Sequence, residues 1–396
     1  MTIGAEQISI KLSTAGLKVT QVDILSQRTP MAARVLEGKA PDEACALLPL
    51  LFSLCGNAQL QAGLMAFEEG LGLVVSPAHQ GARDLLLCAE GVSEHTTRML
   101  VDWPPLTLLD SDTATVRDLR AFLASFKHHI FQDGQNDRIG GAPMALNIDL
   151  LTSHVHAVEQ KLKDSVFHVD LSSFLDFTSH DQFLNWLESS PTRPAQCLKY
   201  WMDEGYLKDT WPKANQLPAF DKDFINDKLD DDDADPFINH PTYQGNTCET
   251  GPYERQHHHP LIVDMMQKGS SSALRRFCAK LLDLAQLGKD MQTALANIVQ
   301  DQELFHTKAL HKGTGIVHAV RGQLCHRVWL DPEGQTIQRY RILAPTEWNF
   351  HPSGILKDIL LDSDAQDIER LKHSARLAVM ALDPCVGCDI VIEETD

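Results

Sequence analysis

The residues Leu274, Phe277, Leu281, Leu284, Leu287, Met291, Leu295 and Val299 fall on one stripe of the stretch Ser272–Glu303. Their spacing predicts a single long amphipathic helix. Such a stripe faces a core far more often than a cofactor, so it demands other elements to cover it. Shorter helical patterns at Glu94–Val101, Thr115–Phe126 and Phe183–Glu188 are candidates for that cover. A further helix starts at Pro41, where Asp42 and Glu43 complement the positive N-terminal end. Its stripe of Ala44, Leu47, Leu48, Leu51, Cys55, Ala62 and Met65 is crossed by Pro49, which predicts a kink or an early break.

Extended segments are few. Alternation at Ile8, Ile10, Leu17, Val19, Val22 and Ile24 predicts short strands joined at Thr14-Ala15-Gly16. Arg327–Leu330 and Gln338–Leu343 flank Asp331-Pro332-Glu333-Gly334 as a hairpin. The run Asp227–Asp235 lacks the glycine and distal glutamate of a calcium loop and reads as a solvated insertion. No internal repeat is visible.

The 396 residues carry a net charge of −19, which disfavours nucleic acid and anionic membrane as partners. No apolar run reaches the roughly 20 residues of a membrane span, and no signal peptide is evident. Nine cysteines, an odd number without a framework spacing, fit a reducing cytoplasm.

Chemistry concentrates in Cys385-Val386-Gly387-Cys388. Two thiols three positions apart can bite one soft metal or close a redox ring, yet they supply only half of a tetrahedral site. Asp383-Pro384 ends any preceding helix and fixes the entry geometry. Cys55, on an apolar stripe, reads by itself as a small buried hydrophobe. His257-His258-His259 reads as a solvated loop, because adjacent side chains in an extended segment point alternately. Arg321-Gly322 and His326 mean little in isolation.

In order along the chain, however, these fragments resemble the large subunit of nickel–iron hydrogenases. Val35–Ala44 is similar to the segment before that family's first metal motif, and Leu54-Cys55-Gly56-Asn57-Ala58 stands where the family has C-G-x-C. Glu249–Arg255 resembles E-x-G-P-L-x-R, and Arg321–His326 resembles R-G-x-L-x-H. Pro345–Asn349 resembles P-T-x-W-N, and Asp383–Cys388 resembles D-P-C-x-x-C.

The resemblance implies four thiolates on nickel, two of them bridging to an iron that also holds carbon monoxide and cyanide. Here the ligand set is broken. Ala58 replaces the second cysteine of the first pair, and Ala62 the histidine after it. Val391 replaces the histidine at the maturation cleavage point, so the tail is expected to stay attached. Ala33 and Ala5 fall where the family has a magnesium-holding glutamate and an N-terminal glutamate. Alanine and valine offer no ligand or proton acceptor.

What survives is similar to the accessory HupK/HoxV type, as are Glu94-His95 and Leu100–Pro104. The resemblance implies a predominantly helical α+β fold, a helical bundle with small peripheral sheets, in a single domain over 1–396. Its parts are N-terminal strands at 1–30, a helical part with the first half-site at 31–226, an acidic and histidine-rich loop insertion at 227–260, and helix, hairpin and tail at 261–396.

The expected function is a non-catalytic hydrogenase maturation scaffold that transiently holds the iron–dicyano–carbonyl unit, Fe(CN)2CO. Cys385 and Cys388 would be iron ligands, Cys55 an auxiliary ligand or transfer thiol, and Arg321 a donor to cyanide. Expected partners are the hydrogenase large-subunit precursor and the maturation proteins that build the iron unit. Two alternatives stay open: a diverged large subunit with an altered metal site, and a metal-free interaction protein.

Overall fold

The structure, a computed structural model, describes residues 7–26, 31–52, 54–208, 211–298 and 305–394. Its centre is the helix Ser272–Ile298, with Phe277, Leu281, Leu284 and Met291 fully buried. Residues 299–303 of the anticipated helix lie outside the described part, as does Ala5. The helix Pro77–Thr97 packs along the central one. Its start follows from sequence: the Ser76 side chain accepts from the His79 N–H at 3.3 Å, and Pro77 takes the first helical position. Trp103, Trp201 and Phe277 meet at ring separations of 5.6, 5.3 and 5.1 Å. Burying each such side chain contributes about 1.5–3 kcal/mol or more.

Two three-stranded sheets flank this helical body. Gln7–Ala15 and Lys18–Ser26 form the expected hairpin, and the tail strand Gly387–Glu394 pairs in parallel with the first of them. Register places Ile8 opposite Cys388 and Ile10 opposite Ile390, so the two ends of the described chain build one sheet. The inner face of that sheet (Ile8, Ile10, Leu12) packs on the helices Ile355–Leu360 and Ile368–Leu382. The second sheet runs Lys312–Ala319, Gly322–Leu330, Ile337–Leu343, all antiparallel. The anticipated hairpin is therefore its last two strands. The first strand escapes a period-2 reading because its two glycines serve close approach: a Cβ on Gly315 would lie 1.9 Å from the Ala62 carbonyl oxygen of the helix resting on it.

One expectation is sharpened and two change. The stripe from Ala44 to Met65 is two helices, Pro41–Leu51 and Gly56–Leu71. The break follows Pro49, and it removes Cys55 from the stripe.

The stretch 227–260, expected to be an acidic and histidine-rich loop, holds short helices between its turns: Lys222–Asp230 runs into it, followed by Asp235–Asn239 and Pro252–Gln256. Two of its acids pair with arginines of this second sheet, and a third arginine holds its backbone. Asp230 accepts from Arg327 at 2.9 and 3.0 Å, Asp232 from Arg339 at 3.1 Å, and Arg341 donates to the carbonyls of Leu229, Asp231 and Asp232.

The histidines have structural partners too. The rings of His257 and His258 meet at 3.7 Å, tilted by 41°, while His259 caps the helix Pro260–Gln267, its Nδ1 accepting from the Leu261 N–H at 3.2 Å.

Candidate metal centre

Cys55 occupies the N-cap of the helix Gly56–Leu71 but caps nothing. The orphan N–H groups of Asn57 and Ala58 instead donate to the Glu90 carboxylate at 2.6 and 3.1 Å. That frees the Cys55 sulfur, which accepts from Gln59 Nε2 at 3.6 Å, an ordinary length for the larger sulfur atom.

Cys385 and Cys388 sit at the other end of the chain on equally fixed ground. The helix Ile368–Leu382 stops because Asp383 takes a left-handed conformation (φ 54°, ψ 78°) and Pro384 follows. Cys385 then meets Thr346 Oγ1 at 3.2 Å, and Cys388 is clamped into the tail strand opposite Ile8.

Arg321 lies in the tight turn between Lys312–Ala319 and Gly322–Leu330. Arg255 fixes that turn, donating to the carbonyls of Ala319 and Val320 at 3.1 and 2.9 Å while it grips Asp283. Asn349 joins three motif segments. Its Oδ1 accepts from the Thr250 N–H at 2.9 Å, and its Nδ2 faces the carbonyls of Arg321 and Leu382 at 3.5 and 3.4 Å. Gly322 (φ 135°) allows the Thr250 and Arg321 segments to cross, since a Cβ there would stand 2.4 Å from Thr250 Cγ2.

The guanidinium so placed is 2% exposed. It donates through Nη2 to Glu94 at 3.0 Å and lies 3.7 Å from Asp383, while Nη1 and Nε make no hydrogen bond. Two buried donors without acceptors are costly unless something occupies them.

The charges around the site are balanced closely. Burial alone would lower the Arg321 pKa, but Asp383, Glu94 and the thiols of Cys385 and Cys55 outweigh it and raise it. Burial would likewise raise Asp383, yet Lys280, Arg321 and Arg98 hold its carboxyl well below the usual range. Burial pushes the Cys55 thiol up to about 12, with Cys385 and Glu90 adding to the rise and Arg321 opposing it. Cys388 is also pushed up to about 12, by burial and then Cys385.

Cys55 and Cys385 thus interact with each other and with Arg321, and Cys388 interacts with Cys385. Among the described residues, however, no three His, Cys, Asp or Glu side chains gather closely enough to hold a metal ion.

A cavity of about 600 Å³ lies beside this centre, lined in part by Gly56, Asn57, Glu90, Glu94, Arg120 and Lys127.

The positions of the missing ligands are filled with packing. Ala58 and Ala62 are fully buried against Val317, Ala319 and Leu324, and Ala33 is buried beside Leu36. Val391 stands 39% exposed on the tail strand. Sequence reasoning missed Gln59, Glu90, Thr346 and Asn349 as elements of the site. Thr346 and Asn349 lay inside a recognised motif. Glu90 carried no local signal, since its partners are 32 and 33 positions away.

Comparison with known proteins bears on the family and the fold. Residues 158–391 match the family model described as nickel-dependent hydrogenase. The hydrogenase expression/formation protein HoxV of Cupriavidus necator is 27% identical over 380 residues, covering 94% of this chain and 93% of its own. The corresponding protein HupK of Rhizobium leguminosarum is 26% identical over 405 residues, covering 99% and 98%. The nickel–iron–selenium hydrogenase of D. vulgaris Hildenborough superposes with a TM-score of 0.67 at 16% identity, covering 94% of each chain. The fold is therefore the predominantly helical one of hydrogenase large subunits. Among the described residues no helix is long and apolar enough to cross a membrane.

Proposed function

This chain belongs to the nickel-dependent hydrogenase family, and from that premise we propose that it is a non-catalytic maturation protein. Relatives spanning nearly its whole length carry the name hydrogenase expression/formation protein, which supports a role in making a hydrogenase. In the finer reading the chain receives the iron–dicyano–carbonyl unit from the proteins that build it. It then passes the unit to the large-subunit precursor in the cytoplasm.

The observation that carries this reading is the buried Arg321 guanidinium beside Cys55 and Cys385, whose Nη1 makes no hydrogen bond and whose Nε meets only the distant Asp383 carboxylate. A cyanide nitrogen is a small anionic acceptor able to satisfy such donors in a dry site. Iron that arrives with two cyanides and one carbonyl needs only two or three protein ligands. Thiolates of Cys385 and Cys388, with Cys55 as auxiliary or transfer ligand, meet that need. Each thiol must lose its proton on binding, because the thiolate is the ligand. Glu94 and Asp383 hold the guanidinium in place while it donates.

An incomplete thiolate set also gives a reason for release. With Ala58 in place of a fourth cysteine, neither a four-sulfur nickel site nor the second bridge to iron can form. Infrared spectra of the protein purified from a maturation-competent host test the proposal. Cyanide and carbonyl stretches are expected in the native protein and should vanish in Cys385→Ser/Cys388→Ser. Their absence from the native protein, or their persistence in the variant, sinks it.

A further inference from the structure

One buried polar chain runs from the Cys55 sulfur into the core. Gln59 Nε2 reaches the sulfur at 3.6 Å, Gln59 Oε1 meets His326 Nε2 at 2.8 Å, and His326 Nδ1 meets the Tyr340 hydroxyl at 2.7 Å. His326 is 0% exposed, Tyr340 1% and Gln59 2%.

The hydrogen positions follow from the partners. The Tyr340 hydroxyl has His326 as its only hydrogen-bond partner among the described residues. If His326 Nδ1 carried the proton, the buried phenol hydrogen would be left without an acceptor. Tyr340 therefore donates to Nδ1, and Nε2–H donates to the Gln59 carbonyl oxygen. The Gln59 amide is left with only its N–H group to present to Cys55. The imidazole stays neutral because burial lowers its pKa to about 3. Gly63 leaves room for the chain: a Cβ there would stand 3.1 Å from the Tyr340 hydroxyl and 3.7 Å from His326 Nδ1.

A glutamine free to rotate would present oxygen to the sulfur as readily as nitrogen. This one is held in the orientation that suits a thiolate and repels none of its charge.

We propose that Gln59 is a positioning donor for Cys55: the Tyr340–His326–Gln59 chain locks an N–H onto this sulfur and makes Cys55 the release-ready ligand of the iron fragment. The inference rests on the maturation reading above. A hydrogen bond into a metal-bound thiolate withdraws electron density from sulfur and weakens its donation to the metal. Cys385 is met by a hydroxyl at Thr346, which can rotate to donate or accept. Cys55 faces a donor that cannot be turned.

The test uses full-length protein purified with its iron unit, alongside Gln59→Met and Tyr340→Phe, with circular dichroism confirming the fold. Gln59→Met should move the carbonyl stretch to lower wavenumber and slow transfer to the precursor by about 10-fold, as outer-shell substitutions do. Tyr340→Phe releases the amide orientation and should split or broaden the bands, a signature that a purely structural role would not give. Alkylation of Cys55, mapped by mass spectrometry on iron-free protein, reads the same contact without cargo and should slow in Gln59→Met. Unchanged bands, transfer and alkylation in Gln59→Met would overturn the inference while leaving the maturation reading intact. Native protein without bands overturns the maturation reading, and the inference with it.

Discussion

Replacing Gly322 by alanine tests whether the crossing of two motif segments holds Arg321 in position. The backbone there has φ 135°, a region that only glycine adopts without strain. An alanine held there costs about 1–3 kcal/mol in backbone energy. Its Cβ would also stand 2.4, 2.5 and 2.9 Å from Cγ2, Oγ1 and Cβ of Thr250. Rotating Thr250 away offers little relief, because its hydroxyl accepts from the Gln323 N–H at 3.1 Å and its own N–H is held by Asn349. Overpacking of this kind adds about 1–3 kcal/mol, giving a total of about 2–6 kcal/mol.

Urea unfolding followed by tryptophan fluorescence should show a lower midpoint at unchanged slope. The background Thr250→Ala removes two of the three clashing atoms and leaves the backbone strain. Gly322→Ala should therefore cost less there, by about 1 kcal/mol or more, in a double-mutant cycle. A midpoint equal to that of the native protein, or a strictly additive cycle, refutes the steric argument.

Two further outcomes follow from the buried charges. Glu249 and Arg276 form a bidentate pair at 2.9 and 2.6 Å with side chains 3% and 1% exposed, so Glu249→Gln should destabilise by about 3–5 kcal/mol in the same assay. Glu249→Leu/Arg276→Met should recover most of that loss, and a double variant as weak as the single one would contradict the reasoning. The Glu90 carboxyl is raised to about 7 by burial, against the pull of the Asn57 and Ala58 N–H groups. The folded state then binds an extra proton between the ordinary glutamate pKa of about 4.3 and about 7. The stability this group contributes is complete below that window, falls as pH rises through it and is flat above. Glu90→Gln should remove this part of the slope in midpoint against pH, and an unaltered slope would show that the carboxyl is not perturbed.

The sequence announced elements whose partners are close in sequence or repeat with a period. The stripe from Leu274 onward and the alternation from Ile8 to Ile24 are of this kind, and both elements form. It did not announce contacts that depend on distant charge. Asp230 and Asp232 show no partner in their own segment because their arginines arrive 97 and 107 positions later. Pro49 announced a break in the stripe, but not that Cys55 falls in the link, at the N-cap of the second helix. The neighbour of Cys55, Gln59, gave no signal for a different reason. Glutamine on a helix is unremarkable, and only the buried His326, 267 positions away, fixes which end of its amide meets the sulfur.

The site separates into two parts that respond differently to substitution. One part is a frame of buried ion pairs, in which Asp383 meets Arg98 and Lys280, Arg321 meets Glu94, and Asp283 meets Arg255 while hydrogen-bonding His95. Removing one partner from such a frame strands a charge and costs several kcal/mol, so its members must stand or fall together. The other part is the ligand set, where a side chain can be replaced by alanine if the helix then packs. Ala58 and Ala62 do this, and the approach of Gly315 to the Ala62 carbonyl closes the space behind them. A chain of this fold can therefore shed metal ligands on the helix Gly56–Leu71 and keep intact the apparatus that aims Arg321 at Cys55 and Cys385. Under the maturation role proposed above, the pocket would be framed for a cyanide-bearing iron and short of the thiolates needed to keep it.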